Sequence, residues 1–335
     1  LNRILLVDVD STIPNIPLMK LSTHYKKTGC QIDLQTLKIS YYPNRKKFKV
    51  VNAESYDKVF VSSIFFGNLD YVSITGCENV EYGGTGYSIK KPLPPDIDSE
   101  KCDYSIYPKN ETSYGFITRG CIRNCKFCVV PQKEGKIRQV NNIEDIIQHK
   151  KVKFLDNNIL AHPSHETILK ELVDKKIKCQ FNQGLDIRLI THKNAGLLSK
   201  LNYIGEYIFA FDDLAHEKKV EDGLEIFKKY VDREWKEKFF VYCHPDMSIS
   251  DDILYRIYWC RDRKVLPYLM RDVSCWNSEH KDLYTDLAAW CNQPGIFKNM
   301  SFYEFLLKRH PRNKKRIEKN MDLYTCDQRL ETAAY

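Results

Sequence analysis

The sequence predicts an α/β protein in three parts: a small open parallel-sheet domain of Rossmann or flavodoxin-like order, a six-stranded (β/α)6 partial TIM barrel, and a helical carboxyl-terminal appendage. Three observations predict this. Short apolar runs alternate with amphipathic stretches along most of the 335 residues. Six of those runs follow a proline-rich break, within roughly 160 residues, too few for the about 250 of a closed eight-stranded barrel. After Trp276 the strand-sized runs stop and only helical patterns remain. The expected boundaries are 1–105 for the open-sheet domain, 106–275 for the barrel and 276–335 for the helical region.

The elements follow in order. Arg3 to Val9 is a continuous apolar strand, and Pro17 to Lys27 is a helical stretch closed by Gly29. Ile32 to Leu37, Val59 to Phe66 and Val72 to Thr75 read as further strands. Gly83-Gly84-Thr85-Gly86 reads as a structural turn, since it matches neither the dinucleotide nor the Walker spacing. Pro92, Pro94, Pro95 and Pro108 make the segment between them an extended linker. Beyond it, apolar runs end near Thr118, Leu155, Phe181, Phe211, Tyr242 and Met270. Helical stretches are expected over Glu166 to Lys176, Asn194 to Leu201, Leu224 to Trp235 and Ile253 to Arg263. Lys281 to Cys291 and Ser301 to Arg309 form the helical end.

Composition excludes several classes. With 43% hydrophobic and 29% charged residues the chain is neither collagen-like nor disordered. No apolar run approaches the roughly 18 residues of a membrane span. The longest, Arg3 to Val9, is strand-sized and lacks the form of a signal peptide, so a cytoplasmic protein with no membrane partner is expected. There, twelve cysteines are suited to metal binding more than to disulfides. The net charge of +8 suits a polyanionic partner without demanding one.

Each barrel run is followed by polar residues. These are Arg119 and a cysteine loop, then Asp156-Asn157-Asn158, Asn182-Gln183, Asp212-Asp213, His244-Pro245-Asp246 and Arg271-Asp272. Ligands of parallel α/β sheets sit at the carboxyl ends of strands, so these six ends predict one polar rim.

The cysteine loop carries the chemistry. Cys121-Ile122-Arg123-Asn124-Cys125-Lys126-Phe127-Cys128 puts three thiols within eight residues, after Tyr114 to Thr118 and Gly120. Three thiolates on one tight loop are soft ligands that can each hold one iron of an iron–sulfur cluster, leaving a further iron open. Zinc is the competing reading. It wants four ligands, and His149 or Cys179 would have to complete them.

This C-x3-C-x2-C loop after the first strand of a six-stranded partial barrel resembles the radical S-adenosylmethionine (SAM) superfamily. The run Gly115-Phe116-Ile117-Thr118-Arg119-Gly120-Cys121, with Phe127 before the last cysteine and Val129-Val130-Pro131 after it, strengthens the resemblance. It covers Tyr114 to Asp272. The first domain is similar, in architecture only, to those of the methylthiotransferase and cobalamin-dependent branches. The resemblance implies that Cys121, Cys125 and Cys128 ligate a 4Fe-4S cluster whose open iron chelates SAM, with electrons from an external donor such as flavodoxin or ferredoxin. Reductive cleavage of SAM would then give a 5′-deoxyadenosyl radical acting on a substrate the sequence does not name. Phe127 would flank the adenine, and Asp156, Asn157 and Asn158 stand where the family has a Gly-Gly-Glu-like segment. Gln183 and Arg188 would reach the SAM carboxylate, and Asp212 or Asp213 the ribose. No catalytic residue is assigned. The alternatives are an RNA- or DNA-modifying methyl- or methylthiotransferase of the same superfamily, a zinc-binding structural module, and an iron–sulfur electron carrier.

The remaining candidates read as structure. Cys30, Cys77 and Cys102 do not match a second-cluster pattern, and Cys260, Cys275, Cys291 and Cys326 share no tight loop. Cobalamin stays open but is disfavoured, because the Asp-x-His-x-x-Gly motif is missing. His162-Pro163-Ser164-His165-Glu166 is not the metalloprotease spacing, and Ser164 marks a helix start. Seven Lys or Arg residues between Lys308 and Lys319 form a solvated basic helix end, with nucleic-acid contact as the alternative.

Overall fold

The computed structural model describes residues 2–40, 42 and 45–319. The fold is mixed α/β with several parallel sheets and a helical carboxyl-terminal region, and the chain divides into two compact units, Leu1–Leu155 and Asp156–Tyr335.

In the first unit β1 (Arg3–Asp8) is buried on both faces, as a central parallel strand must be. Leu5 and Val7 join Val59 and Val61 in one apolar layer, while Ile4 and Leu6 join Phe60, Leu18 and Leu21 in the other. That period of two is the strand signature. The helix α1 (Ile16–Lys27) is capped by Asn15, whose Oδ1 accepts from Leu18 N at 3.2 Å, and Pro17 sits in its first turn. It stops before Gly29, which takes φ +83°. Then come β2 (Gln31–Thr36), β3 (Lys49–Asn52), β4 (Lys58–Ser62), β5 (Val72–Thr75) and β6 (Val80–Gly83). The order β2-β1-β4-β6 is parallel throughout, and β3 pairs with β5 in a separate parallel ladder. The expected open sheet is present. The strands β3 and β6 were not anticipated, because they are short and carry polar or charged residues.

The proline-rich segment is not a bare tether. It contains the short α2 (Pro95–Asp98) and a 3-10 turn over Tyr104–Ile106. Ile97 is buried against Ile4, Leu18 and Phe60. Three ion pairs fasten the segment to α1: Lys20–Asp98 (2.7 Å), Lys26–Asp103 (2.6 Å) and Lys27–Glu100 (2.5 Å). Prolines set its backbone, but side-chain burial decides where it lies.

The rest of this unit holds β7 (Thr112–Gly115), β8 (Thr118–Arg119), α3 (Val130–Lys133), β9 (Arg138–Gln139), α4 (Ile143–Ile146) and β10 (Lys151–Phe154). The single strand expected over Tyr114 to Thr118 is in two pieces. β7 pairs in parallel with β10, whereas β8 turns away to pair antiparallel with β9.

The second unit contains α5 (His165–Asp174), β11 (Lys178–Phe181), α6 (His192–Lys200), β12 (Asn202–Tyr203), β13 (Tyr207–Ala210), α7 (Glu217–Lys228), β14 (Glu237–Cys243), α8 (Tyr255–Asp262) and β15 (Leu266–Arg271). β10, β11, β13, β14 and β15 each end within one residue of the expected positions. β13-β14-β15 form one parallel sheet. β11 pairs with β12 and shares no ladder with β13; the two are bridged where Leu185 N donates to Ile208 O at 2.7 Å. The helix expected over Leu224 to Trp235 is instead α7, beginning at Glu217. Its polar first turn hid the start, and Trp235 at φ +62° lies beyond its end. Phe209, Phe227, Phe239 and Trp259 pack edge-on or tilted in the core.

The described residues after β15 are helical as expected: α9 (Lys281–Cys291), α10 (Pro294–Asn299), α11 (Phe302–Arg309) and α12 (Lys314–Lys319). Buried Trp290 is its hub, with Phe297 and Phe302 at 5.3 and 5.2 Å and its Nε1 donating to Met300 O at 2.8 Å. Cys326 and the tail to Tyr335 lie outside the described residues. Among those described, no helix is long and apolar enough to cross a membrane.

One buried charge works against the fold. Glu237 opens β14 fully buried, with neither carboxylate oxygen hydrogen-bonded. Burial pushes its carboxyl up to about 7, only partly offset by Lys228. The unfolded chain releases this proton near its ordinary value, so stability is lost as pH rises from that value through about 7. Glu237→Gln should therefore be on the order of 1–3 kcal/mol more stable than wild type at pH 8 and no more stable at pH 4. Urea denaturation at the two pH values checks this, and an equal difference at both would contradict it.

Candidate functional site

The cysteine loop is entered through Gly120 at φ +89°, where a Cβ would stand 2.4 Å from Lys136 O. Only glycine fits so close to a backbone carbonyl in that conformation. Cys121 N donates to Gly135 O at 3.2 Å and Cys128 N to Cys125 O at 3.0 Å, folding the loop on itself. Two further amides point at sulfur: Arg123 N lies 3.3 Å from Cys121 Sγ and Val130 N 3.5 Å from Cys128 Sγ. Amide donors of this kind tune the potential of thiolate-bound clusters. All three cysteines are half-buried thiols. Phe127 between them is exposed.

Arg119, just before the loop, is held between two carboxylates, 3.7 Å from Asp98 and 3.8 Å from Glu134, with its guanidinium 4.7 Å from the centre of the Phe116 ring. The candidates for completing a zinc site are engaged elsewhere. His149 Nδ1 lies 3.2 Å from Ser113 Oγ and its ring packs edge-on to Tyr104. Cys179 is fully buried in β11, and burial pushes its thiol up to about 12. Among the described residues no three His, Cys, Asp or Glu side chains converge where one ion would sit.

The strand-end residues of the second unit form a network. Asp156 and Asn158 are buried and Asn157 is half-buried. Asn158 Nδ2 approaches Asp186 Oδ2 at 3.4 Å, and Asp186 grips Arg188 through two bonds, Nε at 2.7 Å and Nη2 at 3.1 Å. Asp212 accepts from Tyr242 N at 3.0 Å. Burial pushes its carboxyl up to about 6, opposed by that amide and by the cations of Arg256 and Arg188. Tyr242 Oη in turn donates to Asp272 Oδ2 at 2.7 Å. The expected residues Asn158, Arg188 and Asp212 thus share one polar cluster. Gln183 is exposed on the turn after β11, and Asp213 is exposed and accepts from Ala215 N at 2.9 Å as a cap.

Two residues of this network escaped the sequence reading. Asp186 orients Arg188. Arg256 on α8 is fully buried and donates to Phe211 O (2.9 Å) and Tyr242 O (3.0 Å), with Asp252 as its ion partner at 2.5 Å. It ties the ends of β13 and β14 together and so fixes the backbone that carries Asp212 and Tyr242. The presence of Arg at that position in an otherwise apolar helix face was the available signal.

The carboxyl edge of the first sheet is closed by its own side chains. Asp10, just past β1, accepts from Ser63 Oγ, Ile64 N, Phe65 N and Asn68 Nδ2 at 2.7–3.1 Å. Asn15 Nδ2 reaches Ser62 Oγ at 3.0 Å. Gly84 and Gly86 press on the same segment, where added Cβ atoms would meet Ser63 O at 2.2 Å and Phe65 O at 2.5 Å. The glycine cluster is a packing turn at this edge.

No protein-family model matches this chain, and no curated protein matches it significantly.

Replacing Arg256 with Met should cost about 3–5 kcal/mol, because Asp252 and two strand-end carbonyls lose a buried partner. Chemical denaturation measures it; a loss under about 1 kcal/mol would mean that the network does not depend on Arg256.

Proposed function

We propose that the protein is a radical SAM enzyme of the partial (β/α)6 barrel type, acting on a substrate still to be identified. The observation that carries this is the cysteine loop: C-x3-C-x2-C behind an obligatory glycine, with backbone amides aimed at two of its sulfurs. Cys121, Cys125 and Cys128 would each hold one iron of a 4Fe-4S cluster, and three thiolates on separate irons need not converge on one point. Such a cluster, when bound, supplies one electron to cleave the sulfonium of SAM.

The chain's own residues do the rest. The Arg123 and Val130 amides, directed at the Cys121 and Cys128 sulfurs, would donate to cluster-bound thiolates, and the exposed Phe127 ring offers a flat surface for an adenine. Asp186 fixes the plane of Arg188, which suits a bidentate carboxylate such as that of SAM. Asp212, its carboxyl raised by burial, is suited to a ribose hydroxyl, and Arg256 positions it. Substrate hydrogen abstraction requires that water be kept out; Asp156 and Asn158 are the buried members of the rim, while Gln183 and Asp213 stand exposed. The closed carboxyl edge of the first sheet favours a structural role for it over corrin binding.

Two sets of variants test the reading after anaerobic reconstitution with iron and sulfide. Cys121→Ala, Cys125→Ala and Cys128→Ala should each lose the cluster, while Cys30→Ala and Cys77→Ala should keep iron near the wild-type level. Equal loss at Cys30 or Cys77 would revive a second cluster, and a colourless zinc protein would sink the proposal. Asp212→Ala should weaken SAM binding about tenfold with iron retained, whereas Asp213→Ala should leave affinity unchanged. An unaltered affinity in Asp212→Ala removes that residue from the site. Among the products, 5′-deoxyadenosine alone would indicate hydrogen abstraction; S-adenosylhomocysteine as well would indicate methyl transfer.

A further inference from the structure

Between residues 34 and 53 the chain carries five cations, Lys38, Arg45, Lys46, Lys47 and Lys49, and no acid. Arg45, Lys47 and Lys49 are exposed. Three large apolar side chains stand open beside them: Phe48 is 60% exposed, Val50 62% and Phe66 63%. Phe66 lies on a separate loop, and the residue after it, Gly67, is held by Lys46 of the strip. That side chain donates to Gly67 O at 3.1 Å and lies 5.0 Å from the centre of the Tyr71 ring. The strip leads into β3, a short strand paired with β5 in a two-stranded sheet.

Lysines on an edge strand can serve simply to discourage edge-to-edge pairing. That role explains the charges but not two open phenyl rings among them, since a guarded edge gains nothing from exposing apolar surface. Cations interleaved with open aromatic rings are the arrangement that holds a single-stranded nucleic acid, phosphates on the cations and unpaired bases on the rings. A lipid surface is a poorer match, because interfacial binding favours a continuous apolar helix face.

We propose that residues 45–50 together with Phe66 form a docking site for single-stranded nucleic acid. The site uses no residue of the cysteine loop or of the strand-end network, so it stands or falls independently of the proposed chemistry.

The test is fluorescence anisotropy of a labelled oligothymidylate with the full chain, across a potassium chloride series. Wild-type affinity should fall steeply with salt. A Lys47→Glu/Lys49→Glu double variant should bind at least about tenfold more weakly at low salt, with the log–log slope reduced by about 1.4 for two lost phosphate contacts. Phe48→Ala and Phe66→Ala should each weaken binding about tenfold and leave the slope unchanged. Circular dichroism melts of the variants must match wild type, and Phe48→Tyr, which keeps a ring, should restore affinity. Absence of binding at low salt would overturn the proposal. So would wild-type affinity in both the charge and ring variants, which would move the site to another basic region such as Lys308–Lys315. Adsorption to phosphatidylserine vesicles that oligothymidylate fails to compete would overturn it in favour of a membrane. Iron content after reconstitution should be the same in all these variants, and Cys121→Ala should bind the oligonucleotide as wild type does.

Discussion

Parallel strands cannot be joined by a tight hairpin, so each one here must be left through a crossover that returns the chain to the same starting edge. Every strand of such a sheet therefore delivers its last residue, and the polar loop after it, to the same side. That constraint concentrates hydrogen-bonding demand at the strand ends, where backbone carbonyls and acidic side chains accumulate. The second unit meets the demand with Arg256, which satisfies the carbonyls of Phe211 and Tyr242 from within the core. In the first unit the acceptor at the strand end is Asp10, which is satisfied by four donors from the segment after β4. The two solutions have opposite consequences. Asp10 closes its edge, whereas Arg256 braces an edge that still presents Asp212, Arg188 and their neighbours.

The cysteine loop obeys a different constraint. It needs a sharp entry, and Gly120 provides it by lying against the carbonyl of Lys136 where no side chain fits. The strand that was expected to run straight into the loop breaks after Gly115, and β8 crosses to pair with β9. The short antiparallel ladder holds the two ends of the loop region together, so that Cys121 N reaches Gly135 O. The Cys121 and Cys128 sulfurs then receive amide hydrogen bonds from residues two positions further along the chain, so the setting of these sulfurs is local.

Much of this was legible in the sequence because it follows from local pattern. Apolar runs such as those ending near Phe181 and Tyr242 announce buried parallel strands, and the cysteine spacing is visible by eye. What was not legible depends on partners far along the chain. β3 and β6 are short and polar, and only their neighbours make them strands. Arg256 reads as one more charge on a helix until α8 is packed on the ends of β13 and β14. The proline-rich segment reads as a linker because prolines dominate it, yet Ile97 and three acidic residues anchor it to α1. Likewise the elevated carboxyls of Asp212 and Glu237 come from burial, which no spacing rule reveals.

The central claim is that the three thiolates of the cysteine loop hold a cluster with an iron open to SAM. Electron paramagnetic resonance of the anaerobically reconstituted, reduced protein tests it most directly. The account predicts about four irons per chain and a reduced-cluster signal whose g-values change when SAM is added. A cluster signal that is indifferent to SAM, or a protein that takes up no iron at all, would contradict it.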